Sequence, residues 1–354
     1  MIENYPNERR MHCETGLLVN MLKYYGFEMS EQMAFGIGGG IYFLYMPLIK
    51  TVDDLVFLIL RTKPFHVIMN VAKRLRLDYH EQKFGKDIAK ASAALDELVA
   101  KSIPVCVVVN TEGLEYLKKL EMFKSYVASG QSMSFNGHMV CIVGEEGSEY
   151  IIADVDFRLP NDDYVRLDKA TLNRVRFIPG FAAPHGQMIY LNQTNKDILS
   201  PENLKPAIIA GLKEACKNMI KIPFPYFGYK GLHYFANDLR KWEQKYDKKQ
   251  IDARLLKYYR LIERGGTGGA GYRIMYSDFL KESTALFQDG ALEESSVMMS
   301  NAADLWRQFS VNCGRFMKED GITLNEMADI IDAVASAERD TFVIIKKKFL
   351  KHVK

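Results

Sequence analysis

Cys13, His138 and Asp154 are the residues whose types and spacing could do chemistry, and that chemistry would be nucleophilic acyl transfer. A thiol attacks a carbonyl only as the thiolate, and a helix N-terminus stabilises that anion through its unpaired N–H groups and the positive end of its dipole. Leu17, Leu18, Met21, Leu22 and Tyr25 recur at helical spacing and Gly26 follows as a C-cap, so Cys13 falls at a helix start. The same N–H groups can face the oxyanion of a tetrahedral intermediate, and an upstream side-chain amide often completes such a hole. Asn7, six residues before Cys13, is the candidate. A cysteine taken alone is more often a small buried hydrophobe, so the reading depends on its partners.

Gly137 to Gly144 and Glu149 to Val155 read as two strands closed by a loop over Glu145 to Ser148, a spacing that suits a hairpin. In a regular hairpin His138 and Asp154 lie roughly opposite each other, and cross-strand Cβ atoms are about 4.5–5.5 Å apart. A carboxylate at that distance accepts the imidazole N–H and fixes its tautomer, the orienting role a triad requires. Asp156, on the same face by period two, is the rival, and Asn136 is a further polar group that could assist. The competing account of His138 is a strand-end histidine bonded to a backbone carbonyl. His12, beside Cys13, is expected to point elsewhere. His66, His80, His185, His233 and His352 have no evident carboxylate register and receive no role. Cys106 and Cys141 sit in apolar strand runs and read as core, with Cys141 on the face opposite His138.

At 354 residues and 48% hydrophobic composition the chain can bury more than one core, which favours two domains. Helices are expected over 66–76 and 87–101, and strands over Ile41 to Met46, over the interior run Val105 to Val109 and over Gly186 to Asn192. From Ser200-Pro201 onward the pattern is helical throughout, over 201–220, 230–246, 250–263, 272–288, 291–318 and 323–350. The chain therefore divides into an α+β domain over 1–195 and an all-α domain over 200–354. The boundary falls in the polar stretch Leu191 to Ser200.

A net charge of +3 is too small to imply nucleic acid. The lysines at 346, 347, 348, 351 and 354 read as a solvated last helical turn. The five cysteines form no CxxC pair and are odd in number, which argues against a disulfide scaffold or a zinc knuckle. No HExxH helix is present and no cofactor or metal is expected. The first thirty residues lack a signal-peptide core and no later stretch reads as a membrane span, so a cytoplasmic protein without membrane association is expected. Gly36 to Gly40 lacks the Lys-Ser/Thr ending of a P-loop and reads as close chain packing beneath the cleft. Gly265 to Gly271 precedes a predicted helix at Tyr272; a flexible joint is the main reading, and an anion held by its N–H groups beside Arg273 is the alternative.

His12-Cys-Glu-Thr-Gly16, Phe35-Gly-Ile-Gly-Gly-Gly40 and the Gly137-His138 and Ala153-Asp154 strands together resemble the butirosin biosynthesis protein H N-terminal domain family. The remainder resembles the uncharacterised helical domain that commonly follows it, through Arg264 to Arg273 and Phe279-Leu280. The resemblance implies a papain-like cysteine-peptidase fold and transfer of an acyl group from an acyl carrier protein thioester, or another acyl-thioester donor, onto a small-molecule amine in antibiotic biosynthesis. The family's nucleophile falls on Cys13, and the papain-like order of amide, cysteine, histidine and acid falls on Asn7, Cys13, His138 and Asp154. An asparagine at position 7 departs from the usual glutamine and is one methylene shorter. Two other readings use the same scaffold: a cysteine peptidase or amidase with water as acceptor, and a non-catalytic binding module.

Overall fold

The computed structural model describes residues 1–50, 56–120, 123–124, 134–157, 164–180, 182–192 and 197–353. Helices α1 (Cys13–Tyr24) and α2 (Glu31–Ile37) precede strands β1 (Ile41–Lys50) and β2 (Val56–Arg61). Then come α3 (His66–Arg74), β3 (Tyr79–Gln82), α4 (Ile88–Ala100) and β4 (Val105–Asn110). Strands β5 (Asn136–Glu146), β6 (Glu149–Ala153) and β7 (Val165–Asp168), helix α5 (Lys169–Val175) and β8 (Met188–Leu191) follow. The rest is helical: α6 (Pro201–Cys216), α7 (Gly228–Leu239), α8 (Trp242–Lys245), α9 (Lys248–Glu263), α10 (Arg273–Phe287), α11 (Gly290–Met317) and α12 (Leu324–Ile344).

These elements form two compact units, Met1–Ala34 with Lys63–Asn203, and Phe35–Thr62 with Leu204–Lys354. The units are therefore not the continuous 1–195 and 200–354 expected from the sequence. The N-terminal half lends residues 35–62 to the helical unit, and the later division falls inside the first turn of α6. Gln193 to Lys196 of the expected boundary, and Lys354 of the lysine cluster, lie outside the described residues.

In the first unit six antiparallel strands are ordered β3-β8-β4-β5-β6-β7. Every residue of the central strand β4 is buried, which is why Val105 to Val109 reads as an unbroken apolar run. Leu95, Leu98 and Val99 of α4 share one core with Val105, Val107, Val140 and Ile142. Cys106, between those valines, directs its sulfur to Met21 of α1 at 3.8 Å, so α1 is packed against the sheet. Leu17, Leu18, Met21 and Leu22 are at most 1% exposed, making α1 an interior helix. It stops at Gly26, whose φ of +87° suits glycine and whose N–H bonds back to the Lys23 carbonyl at 2.9 Å.

The chain before α1 is laid across the same sheet. Ile2 N–H bonds to the Val143 carbonyl at 2.7 Å and Arg10 N–H to the Val155 carbonyl at 2.9 Å. This crossing explains Gly16: a Cβ there would stand 2.5 Å from Arg10 Cβ and 2.9 Å from Val155 Cγ2.

The second unit buries the β1–β2 ladder against helices. Phe35 stacks on Tyr272 with centroids 5.1 Å apart, Phe43 lies 6.2 Å from Trp306, and Tyr45 lies 4.9 Å from Phe235. This aromatic packing is what draws residues 35–62 away from the first unit. Gly36 is the close approach in it, because a Cβ would sit 2.1 Å from the Phe279 ring. The glycine run thus packs tightly, as expected, with Gly36 against Phe279 of α10 and Gly39 against Glu214 of α6. At the centre Arg273 forms a fully buried ion pair with Glu338, Nε to Oε1 at 2.7 Å and Nη2 to Oε2 at 3.0 Å. Trp306 Nε1 donates to the same carboxylate at 2.9 Å, and Arg273 also donates to the Leu60, Gly271 and Tyr42 carbonyls. Gly269 N–H goes to Thr267 Oγ1 and Ala270 N–H to Glu263, so Arg273 and these N–H groups serve the joint between helices and not an anion.

Candidate active site

α1 begins at Cys13, with His12 as its extended N-cap residue. Glu31, at the start of α2, fixes the approach. Its carboxylate accepts Met11 N–H at 2.9 Å, His12 N–H at 3.2 Å and Thr15 Oγ1–H at 3.2 Å. Burial raises the Glu31 carboxyl above its ordinary value, with those three bonds opposing the rise. Glu14 accepts Ile68 N–H at 3.0 Å and so ties the first turn of α1 to the first turn of α3. His12 is buried, its Nδ1 3.1 Å from Thr15 Oγ1, which agrees with a supporting role.

His138 and Asp154 are both about 1% exposed, and His138 Nε2 lies 2.8 Å from Asp154 Oδ2. The pair forms as expected, but the register that makes it is different. The strands pair up to Glu146 with Glu149, leaving only Gly147 and Ser148 as the turn, and a bulge between Ile142 and Gly144 shifts the ladder to Ile142 with Ile152 and Cys141 with Ala153. That register continues Val140 to Asp154, which makes Asp154 the diagonal neighbour of His138 rather than its direct partner. A diagonal pair on one face is still within reach of an imidazole and a carboxylate.

Asp154 accepts four hydrogen bonds. Asp156 N–H and Phe157 N–H reach Oδ1 at 3.1 and 2.9 Å, while His138 Nε2 and Tyr116 Oη–H reach Oδ2 at 2.8 and 2.6 Å. The carboxylate is thus saturated and held against rotation. With the carboxylate as acceptor, Nε2 carries the proton toward it, which leaves Nδ1 as the acceptor nitrogen of the neutral ring. Cys13 is near enough to act on the protonation of the ring. Burial alone would lower the imidazole's affinity for a proton, but the Asp154 charge and hydrogen bond and then Cys13 more than reverse this, so His138 is raised well above the ordinary histidine value. Phe157 packs on the ring with centroids 4.9 Å apart, and Phe123 meets Phe157 edge-on at 5.2 Å.

Asp156, the rival orienter, is half-buried and does not take the histidine; its backbone serves Asp154 instead. Burial pushes its carboxyl up to about 8, opposed by His138 and Arg9 and reinforced by Asp154 and Glu31. Asn136 bonds to Asn110 at 2.7 Å, away from the pair. Asn7 is half-buried in the segment leading to Cys13, with both amide atoms shielded from solvent. Cys106 and Cys141 are fully buried and paired directly across β4 and β5. His233 does have a carboxylate partner, Asp332 on α12, which strand alternation had no means of revealing. Among the described residues no His, Cys, Asp and Glu cluster is arranged to hold a metal ion, and no helix is long and apolar enough to cross a membrane. Sequence reasoning missed Tyr116 and Glu31: Tyr116 lies in the short 3₁₀ segment Glu115–Lys119, where no periodicity marks it.

The first unit is thus of α+β type, with a buried helix starting at Cys13 and a hydrogen-bonded histidine and acid carried by an antiparallel sheet, and the C-terminal region is helical. Residues 12–155 match the family described as butirosin biosynthesis protein H, N-terminal, and residues 170–345 match a domain of unknown function, DUF4872. The two matches follow one another along the chain in that order. A solved structure described as a C39-like peptidase from Bacillus anthracis is similar at 15% identity and a TM-score of 0.33, covering 55% of this chain and 96% of that one. A search of curated proteins found no match.

Proposed function

We propose that the protein is an acyltransferase in which Cys13, His138 and Asp154 move an acyl group from a thioester donor to an amine. His138 holds the proton taken from Cys13, and the thiolate attacks the thioester carbonyl. As the intermediate collapses, the donor's C–S bond breaks and its thiol leaves with the proton from the imidazolium. An amine then attacks the Cys13 acyl-enzyme, His138 accepts a proton from the nitrogen, and the thiolate is restored as the amide departs. The Cys13 N–H at the helix start, with Asn7 as the side-chain contributor, would face the oxyanion.

The observation that carries the reading is His138 held by Asp154 at 2.8 Å on Nε2, with Cys13 near enough to favour the protonated ring. Transfer is favoured over hydrolysis by the dryness of the site: Cys13 is 5% exposed, His138 and Asp154 about 1%, and Phe157 covers the ring. The matched family's name refers to butirosin biosynthesis, which supports our reading of an acyl carrier protein thioester as donor, a small-molecule amine as acceptor and a role in specialised-metabolite production.

The test is to incubate the full chain with an acyl-pantetheine thioester, with and without a panel of amines, and to read products and intact protein mass. Transfer predicts an acyl adduct on Cys13 that persists until amine is added and is then converted to amide. Rapid conversion to free acid with every amine would make the protein a hydrolase, and no adduct in wild type would remove the catalytic reading.

A further inference from the structure

We propose that Tyr116 is a positioning residue for the reaction, its hydroxyl setting how firmly Asp154 holds the His138 imidazolium. The inference rests on the Cys13–His138–Asp154 reading above and adds a fourth residue to it.

The argument begins with the oxygen that is shared. Tyr116 Oη–H and His138 Nε2 converge on Asp154 Oδ2 at 2.6 and 2.8 Å. Tyr116 is 8% exposed and its carboxylate partner about 1%, so little water competes for that oxygen. The other oxygen, Oδ1, is committed to the Asp156 and Phe157 N–H groups. Among the described residues Tyr116 is therefore the one side-chain donor besides His138 to this carboxylate, and what it withdraws from Oδ2 is withdrawn from His138. A donor to the charged form of an acid makes that acid a weaker base, and a weaker base holds an imidazolium less tightly.

The consequence is mechanistic. An imidazolium held too firmly cannot release its proton to the departing thiol, whereas a free imidazole cannot keep the thiolate paired. The phenol sits between these limits. The 3₁₀ segment that carries it follows β4, the strand paired with β5, after one intervening 3₁₀ turn over Thr111–Gly113, and Val109 of β4 is the register partner of His138. Histidine and phenol are thus placed by adjacent strands. The other titratable groups facing this assembly are Cys13 from α1, Asp156 after β6, and, through Asp156, Glu31 of α2 and Arg9 of the N-terminal segment. None of them donates a side-chain hydrogen bond to Asp154 Oδ2, so Tyr116 can be perturbed alone.

The test is an NMR titration of the His138 imidazole in the full chain, wild type against Tyr116→Phe. Removing the hydroxyl should raise the His138 titration by about half a unit or more, because Asp154 becomes the stronger partner. Tyr116→3-fluorotyrosine, introduced at that position alone, makes the phenol a stronger donor and should move the titration down; it also serves if the phenylalanine variant does not fold. A hydroxyl that only fills space would change the melting temperature and leave the His138 titration where it was. An unmoved titration in both variants overturns the proposal. Selective labelling of Cys13 in wild type is a separate measurement, so failure of Tyr116 to matter and failure of the acyltransferase reading are distinguishable.

Discussion

Asp154→Asn exchanges one carboxylate oxygen for an NH₂ group and puts the geometry to a quantitative test. The carboxylate accepts four donors, two backbone N–H groups on Oδ1 and His138 with Tyr116 on Oδ2. An asparagine can meet only half of that set. If its oxygen stays with Asp156 and Phe157, its NH₂ faces His138 Nε2, which must then become the acceptor. The ring proton moves to Nδ1, and an imidazole whose Nδ1 is the nitrogen proposed to serve Cys13 can then no longer take the thiol proton. If the amide flips, the tautomer survives but the NH₂ opposes two buried N–H groups, at about 1–3 kcal/mol each. The first arrangement is the cheaper, and in a serine protease the equivalent wrong tautomer costs about 10⁴ in rate. The variant also loses the negative charge that raises His138. We therefore expect alkylation of Cys13 by iodoacetamide at pH 6 to slow by roughly 10²–10⁴-fold, with little loss of secondary structure. Labelling of Asp154→Asn at the wild-type rate would refute the claim that this carboxylate fixes the histidine.

Asp156, pushed up to about 8 from an ordinary 3.8, binds a proton in the folded state that the unfolded chain gives up, so its contribution to stability falls as pH rises between those values. Asp156→Asn should accordingly gain stability over wild type at pH 8, by about 1 kcal/mol or more, and little at pH 4, as read by denaturant titration at both. Glu338→Gln leaves Arg273 buried without its counter-ion and should cost about 3–5 kcal/mol, whereas Arg273→Met with Glu338→Leu should recover most of that loss in the same denaturation assay. Gly16→Ala places a Cβ 2.5 Å from Arg10 Cβ and should destabilise by about 1–3 kcal/mol while slowing Cys13 labelling, since the segment ahead of the helix must move.

The parts of the fold governed by local pattern were legible in the sequence. Leu17 to Tyr25 with Gly26 placed α1 within a residue of its ends, and the capping boxes at Asp247 with Gln250 and Thr323 with Glu326 mark helices that periodicity had already found. The histidine and its acid were legible because a short hairpin brings them together whichever of two neighbouring registers it adopts. The bulge near Gly144 was not legible, and it changes a direct pair into a diagonal one. Residues 35–62 were assigned to the wrong unit because their aromatic strands announce burial but not the partner; Phe43 finds Trp306, over 250 positions away in the chain. Tyr116 and Glu31 act through side-chain bonds set by tertiary contact, one from a 3₁₀ turn and one from a helix start, and neither position carries a periodic signal.

The most direct measurement of the central claim is brief treatment of the folded protein with limiting iodoacetamide near pH 6, with alkylation mapped over all five cysteines and repeated with His138→Ala. Burial pushes the Cys106 thiol well up, Cys216 up to about 12 and Cys313 higher still, so those three should stay silent. The account predicts fast labelling confined to Cys13 and greatly slowed in the histidine variant. Labelling of Cys13 no faster than the others, or indifferent to His138, would contradict it.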